Sequence, residues 1–413
     1  MDAGRKRCED RISSLPDEVL HYILSFLDMW YVVRTCILSK RWRSLWTSVP
    51  YINLDMDILP FYIEDFINFL YNVLFCRDQS NIHTFRLIHN DAHVIDSYEI
   101  NSIFDCVSIA LKDNVRELNL ELLASIHLPE IELPRCLLNS RSLVKLNLDI
   151  DYDNKYFIKV FISLPESVNL PNLKLLKLQK FGFRDSRHSS LTIYAAQLKH
   201  LEICVDEYSD KNKVSISSPM LKSFRCECCI SDEYFLEDLS SLDRADIDMG
   251  MGWRTSDAEI YRKMMKFLGG LCNAKSLALS VWLLEVLPRA DELLPMSFSA
   301  RHLKVTIWLS KYCFQSIKYL LESSYNLETL EVHINDITDL AKYCDFIERW
   351  EYQEAVEVLS KCTSFHKLRF VEIHNAEGFQ NEVELIKLML KNTVALGQLT
   401  IGASKEHSRT IGG

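Results

Sequence analysis

Three groups of residues in this 413-residue chain have types and spacings that invite a chemical reading. Asp149-Ile150-Asp151-Tyr152-Asp153 opens like a calcium loop, in which alternate carboxylates offer oxygen ligands to a hard cation. Such a loop needs a glycine at its turn and a bidentate glutamate at its end, where Asn154 and Val160 stand instead. Cys226-Glu227-Cys228-Cys229 offers thiolates, but no second Cys/His pair follows at zinc spacing. Cys226 also falls on a repeating apolar position, which favours core packing. His89 and His93 stand four apart without the glutamate that a zinc hydrolase places between them. Glycine numbers only eleven, and neither a phosphate-cradling loop nor a nucleophile elbow occurs. The expectation is a protein with no catalytic residue, no metal site and no cofactor, acting through its surfaces.

Composition bounds which surfaces these are. The chain is 48% hydrophobic and 25% charged, as folded domains are, with 47 basic and 57 acidic residues for a net charge of −10. That balance lacks the broad basic field which binding to phosphate backbones requires, so no nucleic-acid partner is expected. Cysteines number thirteen, an odd count, and no apolar run follows the basic cluster Arg5-Lys6-Arg7. A reducing, intracellular location is expected, cytoplasmic, nuclear or both. Ile58 to Phe75 is the longest greasy stretch, but Glu64 and Asp65 near its middle mark an amphipathic helix and no membrane partner.

Residues 1–50 differ from the rest, with eight Lys/Arg and six Asp/Glu. Ser14-Leu15-Pro16-Asp17-Glu18 is a helix start, with a proline in the first turn and carboxylates beside the positive end of the dipole. Val19, Leu20, Ile23, Leu24 and Leu27 then recur at helical spacing. Asp28 can cap a second helix, and Ser39 a third in which Trp42, Leu45 and Trp46 share a face. Three short helices cannot hide so much apolar surface among themselves, which points to a partner. The runs Arg11 to Leu20, Ile23 to Leu27 and Val33 to Trp46, with Leu15-Pro16 and Leu38-Ser39-Lys40-Arg41-Trp42-Arg43, closely resemble the F-box motif in its plant form. The resemblance implies docking on the Skp-type adaptor of a cullin-RING ubiquitin ligase. Matching positions that would carry the contact are Leu15, Pro16, Ile23, Leu24, Leu27, Val33, Leu38, Trp42 and Leu45.

From Ile82 to Ile401 one phrase returns, with apolar residues at its first, fourth and sixth positions. Ile82/Phe85/Leu87, Val115/Leu118/Leu120 and Leu143/Leu146/Leu148 are its first copies, and Leu396/Leu399/Ile401 its last. Twelve copies result if Leu303-Lys304-Val305-Thr306-Ile307, which alternates correctly out of register, is included. First anchors lie 21 to 41 residues apart, the leucine-rich-repeat signature, in which each unit gives one strand to a parallel sheet. The expected fold is α/β: an N-terminal three-helix F-box, then a curved, irregular leucine-rich-repeat solenoid. The last stretch, from Phe370 through Glu384–Leu390 to Ile401, reads strand, helix, strand and resembles the FBD segment that ends many plant F-box/repeat proteins. Expected boundaries are 9–50 for the F-box, 51–80 for a linker helix and 81–342 for the repeats. Last repeats with the FBD-like segment take 343–402, and a tail takes 403–413.

Residues between the anchors project to the open face of such a sheet, where acidic side chains outnumber basic ones. Glu117, Lys145, Lys177 and Glu202 are the candidate contacts for a target protein. With the F-box resemblance, this implies a non-catalytic substrate-recognition subunit, tied through its adaptor to a cullin. Alternatives are a receptor gated by a small hormone-like ligand, and an adaptor-binding protein that delivers nothing to a ligase.

Overall fold

The computed structural model describes residues 11–12, 14–58, 62–90, 95–124, 131–152, 162–163, 167–181, 190–205, 213–229, 233–250, 258–287, 296–335 and 365–404. They fall into two compact units, residues 1–164 with 169–184, and residues 165–168 with 185–413.

The first unit begins with α1 (Asp17–Leu24), α2 (Met29–Arg34) and α3 (Lys40–Leu45). There follow β1 (Tyr51–Asp55), α4 (Ile63–Phe75), β2 (Thr84–His89), α5 (Ser97–Ala110), β3 (Glu117–Ala124), β4 (Lys145–Tyr152) and β5 (Leu175–Phe181). All five strands pair parallel in chain order. Their register aligns the anchors in rows. Ile52, Phe85, Leu118, Leu146 and Leu176 form one row, and Leu54, Leu87, Leu120, Leu148 and Leu178 the next; all are buried. A third row of buried first anchors, Val49, Ile82, Val115, Leu143 and Leu173, lies just before the strands. Each such side chain contributes roughly 1.5–3 kcal/mol on leaving water.

Strands of the second unit's main sheet are β6 (His200–Val205), β7 (Ser223–Cys229), β8 (Arg244–Gly250), β9 (Ser276–Leu279), β10 (His302–Ile307), β11 (Thr329–Ile334), β12 (Phe370–Ala376) and β13 (Gln398–Ala403). They too pair parallel in chain order. A second parallel layer contains Ser190–Tyr194, Lys213–Ser217 and Glu233–Glu237. Helices α6 (Ala258–Gly270), α7 (Val281–Val286), α8 (Lys311–Ser323) and α9 (Gln380–Asn392) serve as connections.

A backbone device ties each repeat to the one before it. The carbonyl of His83 accepts N–H bonds from both Arg116 (3.3 Å) and Glu117 (2.9 Å), and that of Arg116 accepts from Val144 (2.7 Å) and Lys145 (3.0 Å). In the second unit Lys199, Lys222, Asp243, Lys275, Arg301, Glu328 and Arg369 act in the same way. One acceptor therefore satisfies two donors at each strand entry, where the ladder has not yet begun.

Three expectations need correction. The copy at Leu303–Ile307 is in register: Leu303 pairs with Leu277 and Leu330, Val305 with Leu279 and Val332. Its first anchor is Ala300, fully buried, whose small side chain hid the phrase. Residues 51–80 hold a strand as well as helix α4, and Val49/Ile52/Leu54 is one more copy of the phrase. Ser39 precedes α3 without a side-chain cap bond. Asp28 does cap α2, accepting the Trp30 N–H at 2.8 Å.

Strand, helix and strand occupy 370–403 in the expected order. Gly378, at φ 92°, makes the turn into α9, and the buried Glu382 carboxylate gathers the N–H groups of Glu377 (3.0 Å), Gly378 (2.6 Å) and Phe379 (3.1 Å). A side chain at position 378 would strain that turn. On β13, Leu399 is half-buried and Ile401 is 48% exposed, so this last strand presents apolar side chains to solvent. α4 is the helix expected from its sequence, burying Phe66, Ile67, Leu70, Val73 and Leu74. No helix of the described residues is long and apolar enough to cross a membrane.

Candidate functional site

Two surfaces collect the residues singled out in the sequence. The first lies on the N-terminal helices. Their inner faces pack Leu20, Leu24, Met29, Val32, Trp42 and Leu45 out of water. Polar ties then fix the helices in place. Arg41 of α3 pairs with Asp17 and donates to the Leu15 carbonyl at 2.6 Å, which holds the Leu15-Pro16 turn against α3. Asp28 also accepts the Asp55 N–H of β1 at 2.8 Å. Burial pushes the Asp28 carboxyl above its ordinary range, while its two N–H donors favour the ionised form.

These helices are not self-contained. Asn53 donates to the Ser25 carbonyl at 2.9 Å, Arg77 to the Val49 carbonyl at 2.7 Å, and Trp30 meets Phe69 edge to face at 5.4 Å. A cut at Pro50 would sever all of these along with the Asp28 bond to β1. These ties cross the F-box boundary expected at residue 50.

What the packing leaves outside is apolar. Of the 22 exposed large hydrophobic side chains among the described residues, nine lie between Ile12 and Leu38: Ile12, Val19, Tyr22, Ile23, Phe26, Leu27, Tyr31, Ile37 and Leu38. Ile37 and Leu38 are 82% and 63% exposed, and Phe26 is 72% exposed. Single exposed hydrophobics are ordinary, whereas this density marks an interaction surface.

The nine candidate contact residues divide accordingly. Pro16, Ile23, Leu27 and Leu38 are exposed, and Leu15 and Val33 are half-buried. Leu24, Trp42 and Leu45 are at most 5% exposed and belong to the chain's own core, because their helix faces turn inward. The sequence reading missed Tyr22, Phe26, Tyr31 and Ile37. Tyr22 and Phe26 sit four apart and stack edge to face at 5.0 Å, a pairing that helical spacing alone would reveal.

The second surface is the polar face of the strands. Glu117 and Lys145 are paired across β3 and β4 at 2.8 Å. Lys177 registers with Asn147, one step further along, since Leu175 takes the place beside Lys145. Asn147 in turn donates to Asn119, and Asn119 to Glu121 at 2.8 Å. In the second unit Glu202 registers with Arg225 and faces it at 4.0 Å. The four candidate target contacts are thus two neighbours, one offset residue, and one residue in the other unit.

Of the motifs weighed for chemistry, only some residues fall within the described part of the chain. Asp149 and Asp151 lie on β4, whereas Asp153, Asn154 and Val160 fall outside the described residues, as does His93. His89 is buried, with Asp57 3.6 Å from its Nδ1. Cys226, Cys228 and Cys229 are buried on β7.

Comparison with known families agrees with this layout. Residues 12–53 match the F-box domain, and residues 106–271 match the LRR repeats of the FBD-associated F-box protein At5g56370. The chain is similar to several Arabidopsis thaliana proteins along most of its length. Identity is 28% to the F-box protein At1g58310, over 97% of this chain and 90% of that one. It is 27% to the F-box/FBD/LRR-repeat protein At1g78750, over 97% and 92%. It is 26% to the F-box/LRR-repeat protein At3g59210, over 95% and 88%.

Proposed function

We propose that this chain, which matches the F-box domain and the repeats of an FBD-associated F-box protein, is the substrate-recognition subunit of a Skp–cullin–F-box ubiquitin ligase. The observation that carries this reading is the concentration of exposed apolar side chains between Ile12 and Leu38. Burying them against a helical adaptor would remove from water a face that the chain itself leaves open. Leu15, Pro16, Ile23, Leu27, Val33 and Leu38 make that contact, with Leu24, Trp42 and Leu45 fixing the helices behind it. The strand repeats form a solenoid whose polar face selects a target protein, with Glu117, Lys145, Lys177 and Glu202 among the contacts.

On this reading the protein supplies no reacting group. It works by proximity, holding a target lysine near a charged conjugating enzyme and converting a bimolecular encounter into a local one. Its place of action is inside the cell, in the cytoplasm or the nucleus.

Affinity capture of the full chain from plant cells tests the reading. Recovery of a Skp-type adaptor together with a cullin is the expected result. Adaptor without cullin would mean a protein that binds the adaptor and delivers nothing. A target recovered only when a small molecule is added would mean a ligand-gated receptor.

A further inference from the structure

Strands β11 and β12 carry the same triplet, Glu331-Val332-His333 and Glu372-Ile373-His374. Parallel register sets Glu331 beside Glu372 and His333 beside His374. Val332 and Ile373 are buried, so alternation sends the glutamates and histidines to the opposite face of the sheet. There the two imidazole rings stack, centroids 4.5 Å apart and planes 22° apart. Glu331 Oε1 contacts His333 Nε2 and lies 3.9 Å from His374 Nε2, while Glu372 Oε2 lies 3.4 Å from the same nitrogen.

We propose that Glu331, His333 and His374 form a binding site for a divalent transition-metal ion of zinc's class, with Glu372 beside its fourth position. One ligand atom from each of the three lies within 4.8 Å of the others, the single such cluster among the described residues. A tetrahedral ion with bonds of roughly 2.0–2.2 Å needs ligand atoms roughly 3.3–3.5 Å apart, which small side-chain rotations would supply. Two imidazoles and a carboxylate suit zinc and its neighbours, whereas calcium and magnesium demand more oxygen ligands. A second observation points the same way: although the His374 side chain is 35% exposed, its Nε2 is covered by neighbouring atoms and makes no hydrogen bond, with Glu372 Oε2 at 3.4 Å. Such a nitrogen is costly to leave unused, and a metal ion would take its lone pair.

Electrostatics fit a cation. Two carboxylates, Glu331 and Glu372, stand against the paired imidazoles. The Lys304 ammonium, 3.1 Å from Glu331 Oε1, is the competitor for that carboxylate. It is exposed, on a flexible stem, and free to turn away. A bound ion would clip together two strands whose paired histidines are 41 residues apart in sequence.

The test uses the full chain freed of metal by a chelator, with Zn2+ as the probe. Diethyl pyrocarbonate modifies accessible imidazole nitrogens, and peptide mass spectrometry reads each histidine. At zinc about ten times the dissociation constant, roughly one site in ten stays free, so His333 should react about tenfold more slowly. Exposed His200, His302 and His366 serve as controls and should not change. An equal reaction rate at His333 with and without saturating Zn2+ would overturn the proposal. His333→Ala with His374→Ala should bind one zinc equivalent fewer than wild type, and unchanged stoichiometry in the folded variant would also overturn it. Should that variant fail to fold, the footprint on the wild-type chain decides.

Discussion

Changing Ile23 and Leu38 to aspartate should lower affinity for a Skp-type adaptor by at least about a hundredfold. Both side chains are exposed, at 42% and 63%, so neither holds the helices together in the free chain. Apolar anchors at an interface cost about 2 kcal/mol or more each when truncated, and a carboxylate buried in their place costs further desolvation. Leu15→Ala with Pro16→Ala, at the edge of the same face, should weaken binding by about tenfold. Calorimetry with purified adaptor measures both, and thermal unfolding confirms that the variants remain folded. Trp42→Ala provides the contrast. Trp42 is 5% exposed, so its truncation costs about 3–5 kcal/mol of stability. Unaltered affinity in the folded aspartate variant would remove this face from the interface.

The second large effect separates recognition from assembly. Changing Glu117, Lys145, Lys177 and Glu202 together to alanine should abolish target binding and leave adaptor affinity as it was. Glu117 and Lys145 pair with each other, so replacing both leaves neither charge without its counterpart. All four lie on the polar side of the strands, and such surface changes usually stay within about 0.5 kcal/mol each. Paired measurement of adaptor affinity and of co-purifying targets checks the outcome. Retention of targets would move recognition elsewhere, for instance to the exposed apolar residues of the FBD-type segment.

Much of this architecture is legible in the amino-acid sequence because burial repeats with a fixed phrase. Leu118, Leu146 and Leu176 occupy the same row because each follows its first anchor by three residues, and the parallel register needs nothing more. One copy reads out of register and another escapes, each for a physical reason. Ala300 fills an anchor position with almost no side chain, and Val49/Ile52/Leu54 overlaps the end of the F-box, where helical patterning competes for the same residues. Sequence also gives the contact helices, but not which of their sides is spent internally. Ile23 and Leu24 are adjacent and equally apolar; one is 42% exposed and the other 2%. Only the packing of the folded chain, which buries Leu24, decides between them. The Glu-apolar-His triplets at 331–333 and 372–374 were visible as outward residues, yet nothing in one dimension shows that forty-one residues later the chain returns to the same spot.

Amide hydrogen exchange on the full chain, alone and saturated with a Skp-type adaptor, tests the central claim most directly. A docked adaptor should slow exchange across residues 15–38, where the exposed apolar side chains gather, and leave the strands from β2 onward unchanged. Protection confined to the strand repeats, or no protection at saturating adaptor, would contradict the assignment of the N-terminal helices as the docking surface.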